Sequence, residues 1–470
     1  MHWITKAAVV LSLSCVGVAQ FGPALAGSLV LVGGNWAFPG SGGLEEDYGV
    51  SIYEEIVNLA GGLSNAKIGI ISTASSNPAR SAGFYIEDFQ ALYGDSVDVE
   101  WVPITVSDCA GYKNDSSSAI ANQISSRNAF VFTGGDQSFI TECFFNENVA
   151  TQSRTDTALI RSLRDQFTKG AVIAGTSAGT AVQPGTEMIT NGESYEGLRD
   201  GSNSLIGSPP FDNTLYYNPL GGLGFFNYGI LDSHFSERGR QGRIIRLASD
   251  LGIDTAFGVD ENTALVVTDT DTEDVNFKVL GQNGVFIADL TGAEPGEKNG
   301  NWTISGVKAT YLTEGDTYDP LTKTATFGGK TSLKGSEVPG EIPNTENVFS
   351  YFDDDLGNWT NQRAFTNTAI ALFGSTSTTA TGTSLESDPT YGVTLTKGLG
   401  AEGFSGVDGL GQTRVSFKDL DVAIAPTPEP SSLLGLVGAG VLGVGLRRKR
   451  KQSTSRIQRQ QRRPLNSGDS

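Results

Sequence analysis

A short apolar run, Ala171-Val172-Ile173-Ala174, leads into Gly175-Thr176-Ser177-Ala178-Gly179. That pattern predicts a strand turning sharply into a helix with Ser177 at the corner, as in a nucleophile elbow. Glycines flank such a serine because the turn strains the backbone and leaves no room for side chains beside the reacting atom. A serine hydroxyl is a weak nucleophile until a base takes its proton. The chain has two histidines, His2 and His234. His2 falls in a segment that reads as removed on export, which leaves His234 as the candidate base. A lone histidine is most often a surface or capped core residue. His234, however, sits in Leu231-Asp232-Ser233-His234-Phe235-Ser236-Glu237-Arg238-Gly239-Arg240-Gln241-Gly242-Arg243, with three arginines crowded behind it. Guanidiniums so close together in an acidic protein suggest a pocket for a carboxylate. The plainer alternative is a solvated helix face, because Arg240 and Arg243 are i,i+3 neighbours.

Chain order narrows the architecture. In an α/β-hydrolase the acid falls between serine and histidine. Here the two are 57 residues apart and about half of the chain follows, so the order Ser, His, acid fits better. The acid then comes from Phe257-Gly258-Val259-Asp260-Glu261-Asn262, a turn-like carboxylate pair before the apolar run Ala264-Leu265-Val266-Val267. An oxyanion would need donors aimed at it. The backbone N–H of Ala178 is one candidate, and an N–H of Gly134 or Gly135 is a second. An ordinary turn after residues 129–132 explains those two glycines equally well.

Four blocks in order carry a resemblance to peptidase family S51, and within it to the cyanophycinase-like members. They are Phe132-Thr133-Gly134-Gly135-Asp136-Gln137, the Ser177 elbow, Asp232-Ser233-His234-Phe235 with its arginines, and Gly258-Val259-Asp260-Glu261. The likeness covers roughly residues 28–335 and weakens towards 425. It implies a flavodoxin-like α/β fold, of the class I glutamine amidotransferase-like kind, and a Ser-His-Glu triad. On that carry-over Ser177 is the nucleophile, His234 the base and then acid, and Glu261 the group that orients the imidazole. Gln137, Asp232, Arg238, Arg240 and Arg243 match positions the family uses to hold substrate. The resemblance also implies the substrate class: cyanophycin, a polyaspartate with arginine on each side chain, cleaved to β-Asp-Arg dipeptides. Ser233 stands where cyanophycin-cleaving members usually carry Gln, which leaves the exact substrate open. An exported peptidase E-like dipeptidase for Asp-containing peptides is a second reading, and a surface or matrix binding protein without turnover a third.

The two ends describe export. Residues 1–26 read as a secretory signal: Lys6, an apolar core, then Ala24-Leu25-Ala26 as a small-residue cleavage site. Pro428-Glu429-Pro430, an apolar stretch over 433–446 and Arg447-Arg448-Lys449-Arg450-Lys451 resemble the PEP-CTERM sorting signal of bacterial exported proteins. That stretch is shorter than the ~20 residues that comfortably span a bilayer. It suits a transient membrane hold and processing by sorting machinery better than a permanent anchor. Residues 452–470 read as a disordered basic tail. Between the ends, residues 27–425 hold 23 basic and 50 acidic residues. Such a surface repels nucleic acid and draws in arginine-rich substrates. Cys109 and Cys143 could pair in an oxidising compartment, although the sequence does not place them together. No His/Cys cluster suggests a metal, no cofactor is called for, and homo-oligomerisation is compatible with the chain.

The elements that must position these groups read as an α/β layer fold with a mostly parallel sheet flanked by helices. Strands are expected at 28–32, 67–72, 97–102, 129–132 and 171–174, with helices at 53–60, 85–93 and 157–169. Sites in such sheets lie at the carboxyl ends of the strands, where Ser177 and the Gly134-Gly135 loop both fall. From about 275 the helical signals fade, and runs at 277–280, 284–288 and 393–395 predict a β-rich C-terminal portion. The catalytic unit is expected over 27–335 and a β-rich extension over 336–425. The Ser- and Thr-rich residues 375–384 read as a mobile loop.

Overall fold

The computed structural model describes residues 27–353 and 355–427. The expected signal peptide, basic tail and nearly all of the sorting segment therefore lie outside the described residues. Among the described residues two large sheets, beside three small ones, share a hydrophobic core. The first sheet has nine strands among the described residues. Five are parallel, in the spatial order Ser28–Val32, Val172–Thr176, Ala129–Phe132, Lys67–Ile71, Asp98–Trp101. Beyond Ser28–Val32 the sheet continues antiparallel through Thr263–Thr268, Asn276–Gly281, Thr317–Asp319 and Thr324–Thr326. The expectation of a mostly parallel sheet is thus right for one half and corrected for the other. Thr263–Thr268 connects to Asn276–Gly281, and Thr317–Asp319 to Thr324–Thr326, through links too short for a helical crossover, so each of these pairs runs antiparallel.

Apolar side chains on successive residues explain why the parallel strands are central. Leu29 and Leu31 enter one core, while Val30 and Val32 enter the core on the opposite face. Both faces are covered, so these strands read as continuous apolar runs rather than alternating ones. Helices Gly43–Leu59 and Pro78–Tyr93 cover one face through Ile52, Tyr53, Ile56 and Phe89. Each begins well before its sequence-based boundary. The first turn of Gly43–Leu59 carries Glu45 and Glu46, which hides the apolar period but suits the positive end of the helix dipole. The Glu46 carboxylate accepts the N–H groups of Gly40 and Gly42 at 2.8 and 2.6 Å and closes that terminus.

The second sheet is eleven-stranded. It starts with the parallel pair Ile230–Asp232 and Thr255–Val259, continues through Gly284–Asp289 and Asn301–Thr313, and reaches Thr413–Pro426. It crosses the boundary expected at residue 335: Asn301–Thr313 pairs directly with Thr413–Pro426. The β-rich extension is thus joined edge to edge with strands of the expected catalytic unit. Two further corrections fall inside it. Helix Ala364–Gly374 interrupts the β-rich stretch; apolar nearly all round, it shows no amphipathic period. Residues Thr379–Thr383, expected to be a mobile loop, form a strand against Tyr391–Thr396, as β-branched threonines favour.

Cys109 and Cys143 form a disulfide across 34 residues of sequence. Closing such a loop restricts the unfolded chain by about 4 kcal/mol in the loop-entropy model. Reduction without denaturant is expected to lower the melting temperature by several degrees, measured by calorimetry with and without reductant. An unchanged midpoint would show that the bridge adds no stability.

Candidate active site

Ser177 occupies the corner between Val172–Thr176 and the four-residue helix Ala178–Ala181, with φ 54° and ψ −114°. The two flanking glycines are sterically required. A Cβ on Gly175 would lie 2.2 Å from the Gly179 carbonyl, and one on Gly179 would lie 2.1 Å from the Phe132 carbonyl. The Ser177 N–H donates to Val32 O at 3.2 Å. The Thr180 hydroxyl, 2.6 Å from the same oxygen and 2.8 Å from Gly175 O, clamps the elbow from behind.

Chain ends from both sheets converge on this corner. His234 follows the carboxyl end of Ile230–Asp232, and Glu261 lies between Thr255–Val259 and Thr263–Thr268. His234 Nε2 lies 2.7 Å from Ser177 Oγ, and His234 Nδ1 lies 2.7 Å from Glu261 Oε1. A carboxylate only accepts, so the Nδ1–H donates to Glu261 and Nε2 is left to accept the Ser177 proton. His234 holds this pose at φ 47°, with its N–H donating to Gly33 O at 2.6 Å. Gly34 makes room for the ring: at φ 111°, a Cβ there would lie 2.1 Å from His234 Cε1.

Burial depresses the His234 imidazole to about 4, helped by the nearby charges of Arg238 and Arg240 and opposed by Glu261. At neutral pH the ring is therefore an uncharged acceptor. Burial pushes the Glu261 carboxyl up, but the His234 hydrogen bond, the charges of His234 and Arg238 and the Asn35 side chain outweigh it and hold it below the usual range. Asn262 braces the turn, accepting the Ala37 N–H at 3.0 Å and donating to Glu45 O at 2.9 Å.

The expected oxyanion donors divide. Ala178 opens a helix, so its N–H is one of those without an intrahelical acceptor. Gly134 packs against the nucleophile, with its Cβ position 3.3 Å from Ser177 Cβ. Gly135, at φ 137°, is pressed against the Ala74 carbonyl instead, and its lack of a side chain serves that close approach.

The residues expected to hold substrate also divide. Asp232 is fully buried and receives Arg243 Nε at 2.8 Å, Arg243 Nη2 at 2.7 Å and Arg240 Nη1 at 3.2 Å. Arg243 spends its remaining terminal nitrogen on Gly192 O. Asp232 and Arg243 thus form an internal ion pair, and the burial that shows this is not visible in the sequence. Arg240 also donates to Ser233 O at 2.6 Å, and burial lowers it to about 9. Ser233 itself is buried. Gln137 donates its amide to Ile189 O and Thr190 O at 2.8 and 3.3 Å. The Arg238 guanidinium lies over Trp359, 5.4 Å from the ring centroid.

Gly34, Asn35, Asn262, Glu193, Glu237 and Arg363 were not singled out from the sequence as site residues. Burial raises Glu193 to about 6 against the opposing pull of Arg240, Arg243 and Arg238. Its Oε2 is shielded from solvent without a hydrogen-bond partner among the described residues. No described group of three or more His, Cys, Asp or Glu is placed to hold a metal ion. Together Ser177, His234 and Glu261 have the geometry for nucleophilic acyl transfer.

Residues 38–275 match the model of peptidase family S51, and residues 426–450 match the PEP-CTERM protein-sorting motif. The chain is 29% identical over 231 residues to a cyanophycinase of Trichormus variabilis and, with the same values, to one of Nostoc sp.. Those matches cover 49% of this chain and 65% of each relative's length. A cyanophycinase of Synechococcus elongatus is 28% identical over 285 residues, covering 59% of this chain and 77% of its own. The crystal structure of a peptidase from an acI-B1 Actinobacterium aligns at a TM-score of 0.40 and 17% identity, over 63% of this chain and 98% of that one. With half of its length matched by the family model, the chain belongs to peptidase family S51.

Proposed function

We propose that this S51 peptidase is an exported serine hydrolase that cleaves cyanophycin to β-Asp-Arg dipeptides through an acyl-enzyme. The observation that carries the reading is the unbroken chain Ser177 Oγ–His234 Nε2, His234 Nδ1–Glu261 Oε1, with both distances 2.7 Å. In the first step Ser177 Oγ bonds to the scissile carbonyl carbon while His234 Nε2 takes its proton. The N–H groups of Ala178 and the Gly134 loop would receive the oxyanion. Collapse breaks the C–N bond, and the imidazolium returns the proton to the leaving amine. Water repeats the sequence on the ester, with His234 as base, and Ser177 leaves with its proton restored.

The substrate assignment draws on three supports. Relatives named cyanophycinase match 49% and 59% of the chain. The acidic surface attracts the guanidinium groups of an arginine-rich polymer. Glu193, with one carboxylate oxygen lacking a hydrogen-bond partner among the described residues, is a candidate acid for a substrate guanidinium, and Arg238 and Arg240 are candidates for its carboxylate. The sorting motif and the Cys109–Cys143 disulfide support export, because such bonds persist in oxidising compartments. Ser233 favours the dipeptidase as second reading. Incubating the full chain with cyanophycin separates the two: soluble β-Asp-Arg detected by mass spectrometry supports the first. Intact polymer, with short Asp-peptides cleaved instead, would overturn it.

An imidazole at about 4 also sets the pH dependence. Protonation removes the acceptor for the Ser177 proton, so activity falls as pH drops through that value and holds above it. The acid limb of kcat/KM is expected near pH 4 rather than near the ordinary imidazole value of about 6.5. A limb at the ordinary value would contradict the buried, uncharged His234.

A further inference from the structure

Behind the triad, four side chains from distant parts of the chain lock together. Glu237 and Asp260 are both buried. Arg363, which precedes helix Ala364–Gly374, donates Nη1 to Glu237 Oε1 at 2.5 Å and to Asp260 Oδ2 at 2.8 Å. Its Nη2 donates to the Tyr311 hydroxyl at 2.7 Å, and that hydroxyl donates to Asp260 Oδ2 at 2.6 Å. The backbone closes the frame: Arg363 N–H donates to Ser236 O at 2.9 Å, and Ser236 N–H donates to Asp260 Oδ1 at 2.9 Å. Glu237 Oε2 accepts the N–H of Glu261 itself at 3.1 Å. Ser236 and Glu237 lie two and three residues after His234, and Asp260 precedes Glu261. One guanidinium thus joins the loop carrying the imidazole to the loop carrying its carboxylate. Arg363 lies far beyond the family match, which ends at residue 275.

We propose that Arg363 is a positioning residue for the triad, by which the C-terminal extension fixes the His234 and Glu261 loops against each other through Glu237 and Asp260. A planar fork suits this role because it reaches two carboxylates and a hydroxyl at once. It also supplies the cation that buried Asp260 requires and opposes the protonation that burial favours at Glu237. Burial and the Asp260 charge already push the Glu237 carboxyl up to about 8 against the pull of Arg363. Without the guanidinium, more negative charge would face His234. The other charged groups around that ring are Glu261, Arg238 and Arg240 directly, with Asp232, Arg243 and Glu193 behind Arg240.

The proposal rests on the triad reading, so its test uses one readout that needs no turnover. In the full chain, the His234 ring is titrated by NMR in Arg363→Met and Arg363→Lys, beside pH-resolved labelling of Ser177 by a fluorophosphonate. Arg363→Met is expected to raise the proton affinity of His234 severalfold, because the positive charge that offsets Asp260 behind the ring is gone. It should also slow labelling at least tenfold. Arg363→Lys keeps the charge and loses the fork, so it should hold the titration midpoint and label several-fold more slowly than wild type. An unchanged midpoint and rate in Arg363→Met would overturn the proposal. If that variant does not fold, a wild-type labelling rate in Arg363→Lys would overturn it. A wild-type chain that fails to label would count against the triad reading, while the NMR midpoint would still decide for or against Arg363.

Discussion

Ser177→Ala is expected to lower kcat on the cognate peptide on the order of 10⁶-fold, the scale on which a triad acts as one unit. The substitution removes a single oxygen. Gly175 and Gly179 still fit, and the Thr180 clamp on Val32 O and Gly175 O is untouched. The fold should therefore melt within a degree or two of wild type, and any residual rate would come from the oxyanion site and binding alone. Steady-state product release by mass spectrometry measures it. A variant retaining more than about a hundredth of the rate would mean that another group attacks the carbonyl, because losing an oxyanion donor alone costs 10²–10³-fold.

Glu261→Gln should cost about 10⁴-fold in kcat, because an amide can present a donor to Nδ1 and so place the ring proton on Nε2, facing Ser177. The same change has a second signature of opposite character. Glu261 raises the proton affinity of His234; without its charge the acid limb moves to lower pH even as the plateau falls. Profiles of kcat/KM against pH for the two proteins give both quantities. A plateau lowered less than tenfold would show that Glu261 does not orient the ring.

Local signals made the triad legible and burial made its surroundings opaque. Ser177 announces itself because the strained corner demands glycines on both sides. His234 stands out because the chain is so poor in histidine, and Glu261 because chain order and the family motif agree. For Asp232 and Arg243 the sequence shows charges close together, but not that they pair with one another in the core. Arg363 and Tyr311 meet Glu237 and Asp260 only through sheet pairing between residues far apart in sequence. Nothing in the neighbourhood of Arg363 marks it. Helix Ala364–Gly374 escaped because it buries Phe365, Ala369, Leu372 and Phe373 together with Thr366 and Thr368, so no polar stripe betrays its period. Gly34 was one glycine among sixty, and its role appears only when the His234 ring is seen filling the space its side chain would take.

The most direct test of the central claim is intact-mass analysis of the full chain after treatment with a fluorophosphonate at pH 7, followed by peptide mapping. The account predicts one adduct per chain, on Ser177, absent from Ser177→Ala and strongly slowed in Glu261→Gln. A folded chain that acquires no adduct, or one whose adduct persists in Ser177→Ala, would contradict it.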